Sequence, residues 1–123
     1  MIYDIVIIGG GPAGLTAAIY GRRQNKTVMV IEKNTFGGQT VYSPKIENIP
    51  GFNEMSGMDF ADRLFEQASY QGAEFAVEEA LEIIENGETK TVKTDYSEYE
   101  CRAIIIAAGA KHRLLGLDGE ENY

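Results

Sequence analysis

Residues 4–23 read DIVIIGGGPAGLTAAIYGRR: an unbroken apolar run, rich in β-branched side chains, that ends in three glycines and passes at once into a small-residue pattern. A run without polar alternation, as at 4–8, suits a strand buried on both faces, the situation inside a parallel sheet. From residue 12 to about 24, Ala13, Leu15, Ala17, Ala18 and Ile19 give a helix with a narrow apolar side. Pro12 sits in its first turn, where a missing N–H is harmless. The segment TVMVI at 27–31 supplies a second buried strand. Strand, helix and strand within about 30 residues form a βαβ unit with a right-handed crossover.

Gly9, Gly11 and Gly14 stand at GxGxxG spacing inside that unit. The first glycine permits a tight turn out of the strand, the second lets a pyrophosphate approach the backbone, and the third lets the helix lie close to the sheet. The helix N-terminus then faces the anion. Glu32 closes the second strand about 20 residues beyond the turn, the position and residue type for holding a ribose hydroxyl pair. Glycines can serve packing alone, and a strand-end glutamate can be merely solvated. The order of strand, turn, helix and acid favours the ligand reading. An acid at this place disfavours a 2′-phosphate, which leaves FAD and NAD as candidates. A second small-residue turn, Ala108-Gly109-Ala110, follows the apolar strand at 103–107 and would open at the same carboxyl edge if that strand lies beside the first.

Between these landmarks, residues 34–52 show neither helical nor strand period, and so long a loop in a compact domain is expected to be functional. Residues 58–71 form an amphipathic helix with Phe60, Leu64, Phe65 and Ala68 on one side, Ser56 as N-cap and Gly72 as terminator. A third strand at 74–77 is followed, over 80–101, by short strands broken at Asn86-Gly87 and Asp95-Tyr96-Ser97, an antiparallel meander. The acidic side chains between Glu78 and Glu100 mark a solvated face.

The composition narrows the function classes. A chain of 123 residues with 44% hydrophobic and 10% aromatic content makes one globular domain, able to bury roughly two thirds of its extended surface. No stretch approaches the roughly 20 apolar residues of a membrane helix, and no basic leader precedes the first strand, so a cytoplasmic protein without a membrane partner is expected. A net charge of −8 disfavours nucleic acid, which requires clustered Lys and Arg. The single cysteine, Cys101, has no second thiol with which to form a Cys-x-x-Cys pair, fits a reducing compartment, and reads as a small packed hydrophobe. His112, between Lys111 and Arg113, has no nucleophile or carboxylate placed to orient it and reads as a solvated loop residue. Tyr20 lies at core spacing on its helix, whereas Tyr42, in the long loop, is a candidate for cofactor contact.

IVIIGGGPAGLTAAIYGRR, then FGGQ, then KIENIPGF, then AIIIAAGAKHRLLGLDGE resemble, in order and spacing, the N-terminal part of the FAD domain of bacterial thioredoxin reductases, the low-molecular-weight pyridine nucleotide-disulphide oxidoreductases. FGGQ followed by ENIPG is far more specific than the glycine turn. The resemblance implies an α/β fold. Its Rossmann-like parallel sheet would hold strands 1 to 4 of the order 3-2-1-4-5, with a three-stranded antiparallel meander, β/β/α layers, and the last strand missing from this chain.

By the same resemblance, Gly9, Gly11 and Gly14 would hold the FAD pyrophosphate with Pro12 and Ala13, and Glu32 the adenosine ribose beside Lys33. Gly37, Gly38 and Gln39 would line the flavin and ribityl chain, Asn48 would reach the isoalloxazine, and Ala80 would border the adenine. Ala108, Gly109 and Ala110 would form the turn near the cofactor, with Ala108 standing where the family commonly has threonine. Residues 1–123 would be a partial FAD-binding domain, with the NADPH and dithiol domain absent from this chain.

The implied function is that part of a flavoenzyme which passes reducing equivalents from NADPH, or another donor such as reduced ferredoxin, through FAD to the dithiol of a thioredoxin-like partner. The isolated chain would itself be inactive in disulphide reduction, and the alternative is a nucleotide-binding or assembly module without catalysis. An apolar strand at 103–107 without its neighbour is a pairing hazard. Self-association as a homo-oligomer, or membership of a longer protein, is the expected consequence.

Overall fold

The computed structural model describes residues 1–37 and 56–108. The β-branched run becomes β1 (Ile2–Ile8), and the small-residue pattern becomes α1 (Pro12–Arg23). There follow β2 (Val28–Glu32), α2 (Gly57–Gln71), β3 (Glu74–Val77), β4 (Ala80–Asn86), β5 (Thr89–Thr94) and β6 (Glu98–Ile106). The strands form one sheet in the order β3-β2-β1-β6-β5-β4. Its first four members pair in parallel, with Ile7 opposite Val30 on one side and Ile105 on the other. They reproduce strands 1 to 4 of the expected order.

Strand alternation sorts these side chains into two cores. On one face Ile7, Val28 and Val30 pack against Leu15, Ala18 and Ile19 of α1 and Ala68 of α2. On the other, Val6, Ile8, Met29 and Ile31 pack against Val92 and Cys101, with Ile83 and Tyr99 of the meander at the margin. The meander thus covers the face opposite the helices, which gives the β/β/α layering. Ile7, Leu15, Val30 and Cys101 are completely buried, and burying each large aliphatic side chain contributes about 1.5–3 kcal/mol.

The helices end where their sequence requires. The Ser56 hydroxyl accepts from the Asp59 N–H at 3.1 Å, and Gly72 closes α2 in the left-handed region at φ 100°. Arg22 ties the two helix ends together, its Nε donating to the Gln71 carbonyl at 2.8 Å and its Nη1 to the Lys26 carbonyl at 2.9 Å. At the same end of the βα unit, Asp4 and Thr27 hold the starts of β1 and β2 reciprocally. The Asp4 N–H donates to the Thr27 hydroxyl, and the Thr27 N–H to Asp4 Oδ2, both at 2.8 Å.

Two details depart from the sequence reading. The last meander strand and the apolar strand at 103–107 are one continuous strand. β6 pairs antiparallel with β5 over Glu98 to Cys101 and parallel with β1 over Glu100 to Ile106. Among the described residues no strand pairs with the far side of its upper half, and there Ile105 stays 37% exposed and Ala103 is open to solvent. Tyr20 is the second departure: it is 60% exposed, with the Arg23 guanidinium 6.0 Å from its ring centroid, rather than in the core.

Candidate functional site

The carboxyl ends of β1, β2 and β6 converge on the glycine turn. The Gly9 N–H donates to the Ile31 carbonyl, and the Ala107 N–H to the Ile8 carbonyl, each at 2.8 Å. Gly9 adopts φ 116°, and a Cβ there would collide with the Ala107 carbonyl. A Cβ at Gly14 would fall on the carbonyl oxygen of Gly9 and lie 3.3 Å from Ile7 Cγ2. These two glycines let a helix start directly against two strand ends, as their spacing predicts.

The two helix N-termini differ. α2 is capped by Ser56 and carries Asp59 in its first turn. α1 begins at Gly11 and Pro12 with no side-chain cap and no acid in its first turn, while Arg22 and Arg23 occupy its last turn. The first-turn N–H groups of a helix have no partners within it, and its dipole places partial positive charge there. Among the described residues this end therefore carries neither a capping side chain nor an acid, which suits an anion. Gly11, Pro12, Ala13 and Gly14 all lie at this point.

Glu32 ends β2 next to that turn. Its Oε1 accepts from the Gly10 N–H and its Oε2 from the Asn34 N–H, both at 2.8 Å. A carboxylate offers about four acceptor positions, so, among the described residues, two remain for hydroxyl donors. Lys33 is exposed beside it. The chain then returns to the turn: Gly37 is buried, takes φ 104°, and donates its N–H to the Gly10 carbonyl at 2.6 Å. The Glu78 N–H donates to the Glu32 carbonyl at 3.1 Å, which brings the strand leading to half-buried Ala80 to the same edge. Ala108 is exposed at the end of β6, near Gly9.

The structure thus brings together Gly9, Gly11, Pro12, Ala13, Gly14, Glu32, Lys33 and Gly37 at one sheet edge, with Ala80 and Ala108 flanking. Gly38, Gln39, Asn48, Gly109 and Ala110 lie outside the described residues, as do Tyr42 and His112. Sequence reasoning passed over Gly10, Asn34, Phe36 and Ala107. Gly10 occupies an x position of GxGxxG, and only the run of three glycines hinted at its constraint.

The model for the pyridine nucleotide-disulphide oxidoreductase family matches residues 3–123. The chain belongs to this family. It is 44% identical over 120 residues to the thioredoxin reductase of Bacillus subtilis strain 168, an alignment that takes in 98% of the chain and 38% of that protein. Among solved structures, the thioredoxin reductase of Streptococcus pyogenes MGAS5005 superposes with a TM-score of 0.85 at 40% identity, covering 94% of this chain and 38% of the other. A ferredoxin-flavin thioredoxin reductase from Clostridium acetobutylicum gives 0.82 at 32% identity, covering 93% and 40%. This member of the pyridine nucleotide-disulphide oxidoreductase family therefore spans about two fifths of the length of the relatives it matches. The resemblance first carried by FGGQ, ENIPG and the glycine turn extends over nearly the whole chain.

Proposed function

We propose that this chain is the FAD-binding portion of a thioredoxin reductase-like flavoprotein disulphide oxidoreductase. The observation that carries the reading is the uncapped start of α1, held by Gly9 and Gly14 against two strand ends, with the Glu32 carboxylate beside it. FAD would supply the redox chemistry, taking reducing equivalents from NADPH or another donor and passing them to a dithiol. The chain's own residues do the holding. The α1 N-terminus with Gly9, Gly11, Pro12, Ala13 and Gly14 would receive the pyrophosphate, and Glu32 with Lys33 the ribose. Ala80 would border the adenine, while Gly37, Gly38, Gln39, Asn48, Ala108, Gly109 and Ala110 would face the flavin side.

The catalytic dithiol and the NADPH site lie outside this chain in the proposal, since its one cysteine is completely buried at the base of β6. Thioredoxin-like protein as acceptor, cytoplasmic location and homo-oligomeric assembly belong to the same reading. The likeness to the clostridial protein, a ferredoxin-flavin thioredoxin reductase, supports a second reading in which the donor is not NADPH. Titration of the chain with FAD, followed by flavin fluorescence with NAD and ADP as competitors, tests the cofactor assignment. Selective FAD binding is expected. Equal competition by ADP would replace it with a general nucleotide-binding module.

A further inference from the structure

We propose that Gly10 and Phe36 act as a steric latch that positions Glu32 and the backbone entering Gly37 against the glycine turn, so that both are positioning residues of the cofactor site. The proposal rests on the FAD reading above only for what the latch serves. The latch itself is a matter of packing.

Gly10 is absent from the left-handed residues, so its backbone does not require glycine. Space does. A Cβ there would lie 2.5 and 2.8 Å from Cδ1 and Cε1 of Phe36 and 2.9 Å from the Glu32 Cβ. Approaches under 3 Å are below van der Waals contact, so something has to move. The Phe36 ring is not free to yield, because it rests on Phe65 of α2 and Phe75 of β3, each 5.2 Å between centroids, and those two rings are 4.4 Å apart. Such aromatic packing is worth more than its area alone.

Around this contact the backbone is pinned three times. The Gly10 N–H donates to Glu32 Oε1, the Gly10 carbonyl accepts from the Gly37 N–H, and Glu32 Oε2 accepts from the Asn34 N–H. The ring therefore fills the space left by the missing side chain, and closure of that gap brings the carboxylate and Gly37 within reach of the turn. A methyl at Gly10 would hold the ring away and open the Gly37 and Asn34 bonds. Removing the ring as well would give the methyl room.

Site-resolved amide hydrogen exchange on the wild type, Gly10→Ala, Phe36→Ala and the double variant tests this, with Ile7 and Val30 amides as the reference for global folding. Exchange at Gly37 and Asn34 is expected to quicken at least about tenfold in Gly10→Ala while the reference amides hold, and to slow again by about threefold or more in the double variant. Unchanged exchange in Gly10→Ala, or a double variant as fast as the product of the single effects, would overturn the latch. Loss of protection at the reference amides in step with Gly37 would also overturn it, reducing the contact to general stability. FAD titration of the same four proteins separates the two proposals. A wild type that ignores FAD defeats the cofactor reading and leaves the exchange result standing. Binding that weakens in Gly10→Ala and recovers in the double variant supports both.

Discussion

A methyl group at Gly14 would land on the carbonyl oxygen of Gly9, a backbone atom that cannot swing aside. The helix would have to lift off the sheet, which would withdraw its first-turn N–H groups from the position where they converge. Gly14→Ala is therefore expected to cost about 1–3 kcal/mol in stability, in the range of overpacking, and to reduce FAD affinity at least about tenfold beyond what partial unfolding explains. Melting and titration of the same preparation check the two effects separately. Full affinity in a folded variant would mean that α1 does not contribute the anion site. Gly9, Gly14 and Glu32 were legible from spacing because glycine and acid have few other reasons to recur so after a strand. Gly10 was not, since its constraint comes from a ring distant in sequence and in no local conformation.

Elements were legible in proportion to their periodicity. α2 showed its apolar positions, its Ser56 cap and its Gly72 terminator in the chain itself, and the structure returns all three. Ser56→Ala should destabilise the protein by about 1 kcal/mol, since it strips the acceptor from the Asp59 N–H while Asp59 still faces the helix dipole; chemical denaturation measures this. β6 resisted the same reading. Its polar lower half and apolar upper half look like two strands because they serve two neighbours, β5 antiparallel and β1 parallel. The apolar run implied burial on both faces, yet the helix-side core draws its strand residues from β1, β2 and β3 and reaches none of residues 103–106. Tyr20 misled for a related reason: helical spacing identifies a stripe, and α1 is packed too narrowly to bury its margin.

At the scale of the whole molecule, the parallel strands are tied to one another through side chains that titrate at opposite ends of the pH range. The Tyr3 hydroxyl donates to Glu74 Oε1 at 3.0 Å, and burial, then that carboxylate, push the phenol up to about 12. A phenol raised in the folded state above its ordinary value of 10.0 adds stability that is complete below that value and is lost as pH climbs through 12. Asp4 works the other way: the Thr27 N–H holds its carboxyl below the usual carboxylate range, so its contribution fades as the solution is acidified below about pH 4. Tyr3→Phe should flatten the alkaline limb of a melting profile and leave the acid limb intact, and Asp4→Asn should do the reverse. A variant that changes both limbs alike would show that neither group carries the linkage.

At this level the parallel order and the meander's layer followed from sequence pattern, family resemblance and topology rules together, while the exposure along upper β6 depends on which neighbours each strand segment finds. The claim on which the rest depends is that FAD sits on the start of α1 with its ribose at Glu32. Backbone amide shifts recorded while FAD is added to the isotopically labelled 123-residue chain test it residue by residue. The largest changes are expected at Gly11, Ala13, Gly14, Glu32 and Lys33, with Gly87, in the turn at the far end of the β4–β5 hairpin, unmoved. Shifts confined to the meander, or none in a folded chain at saturating FAD, would contradict the assignment of this edge as the cofactor site.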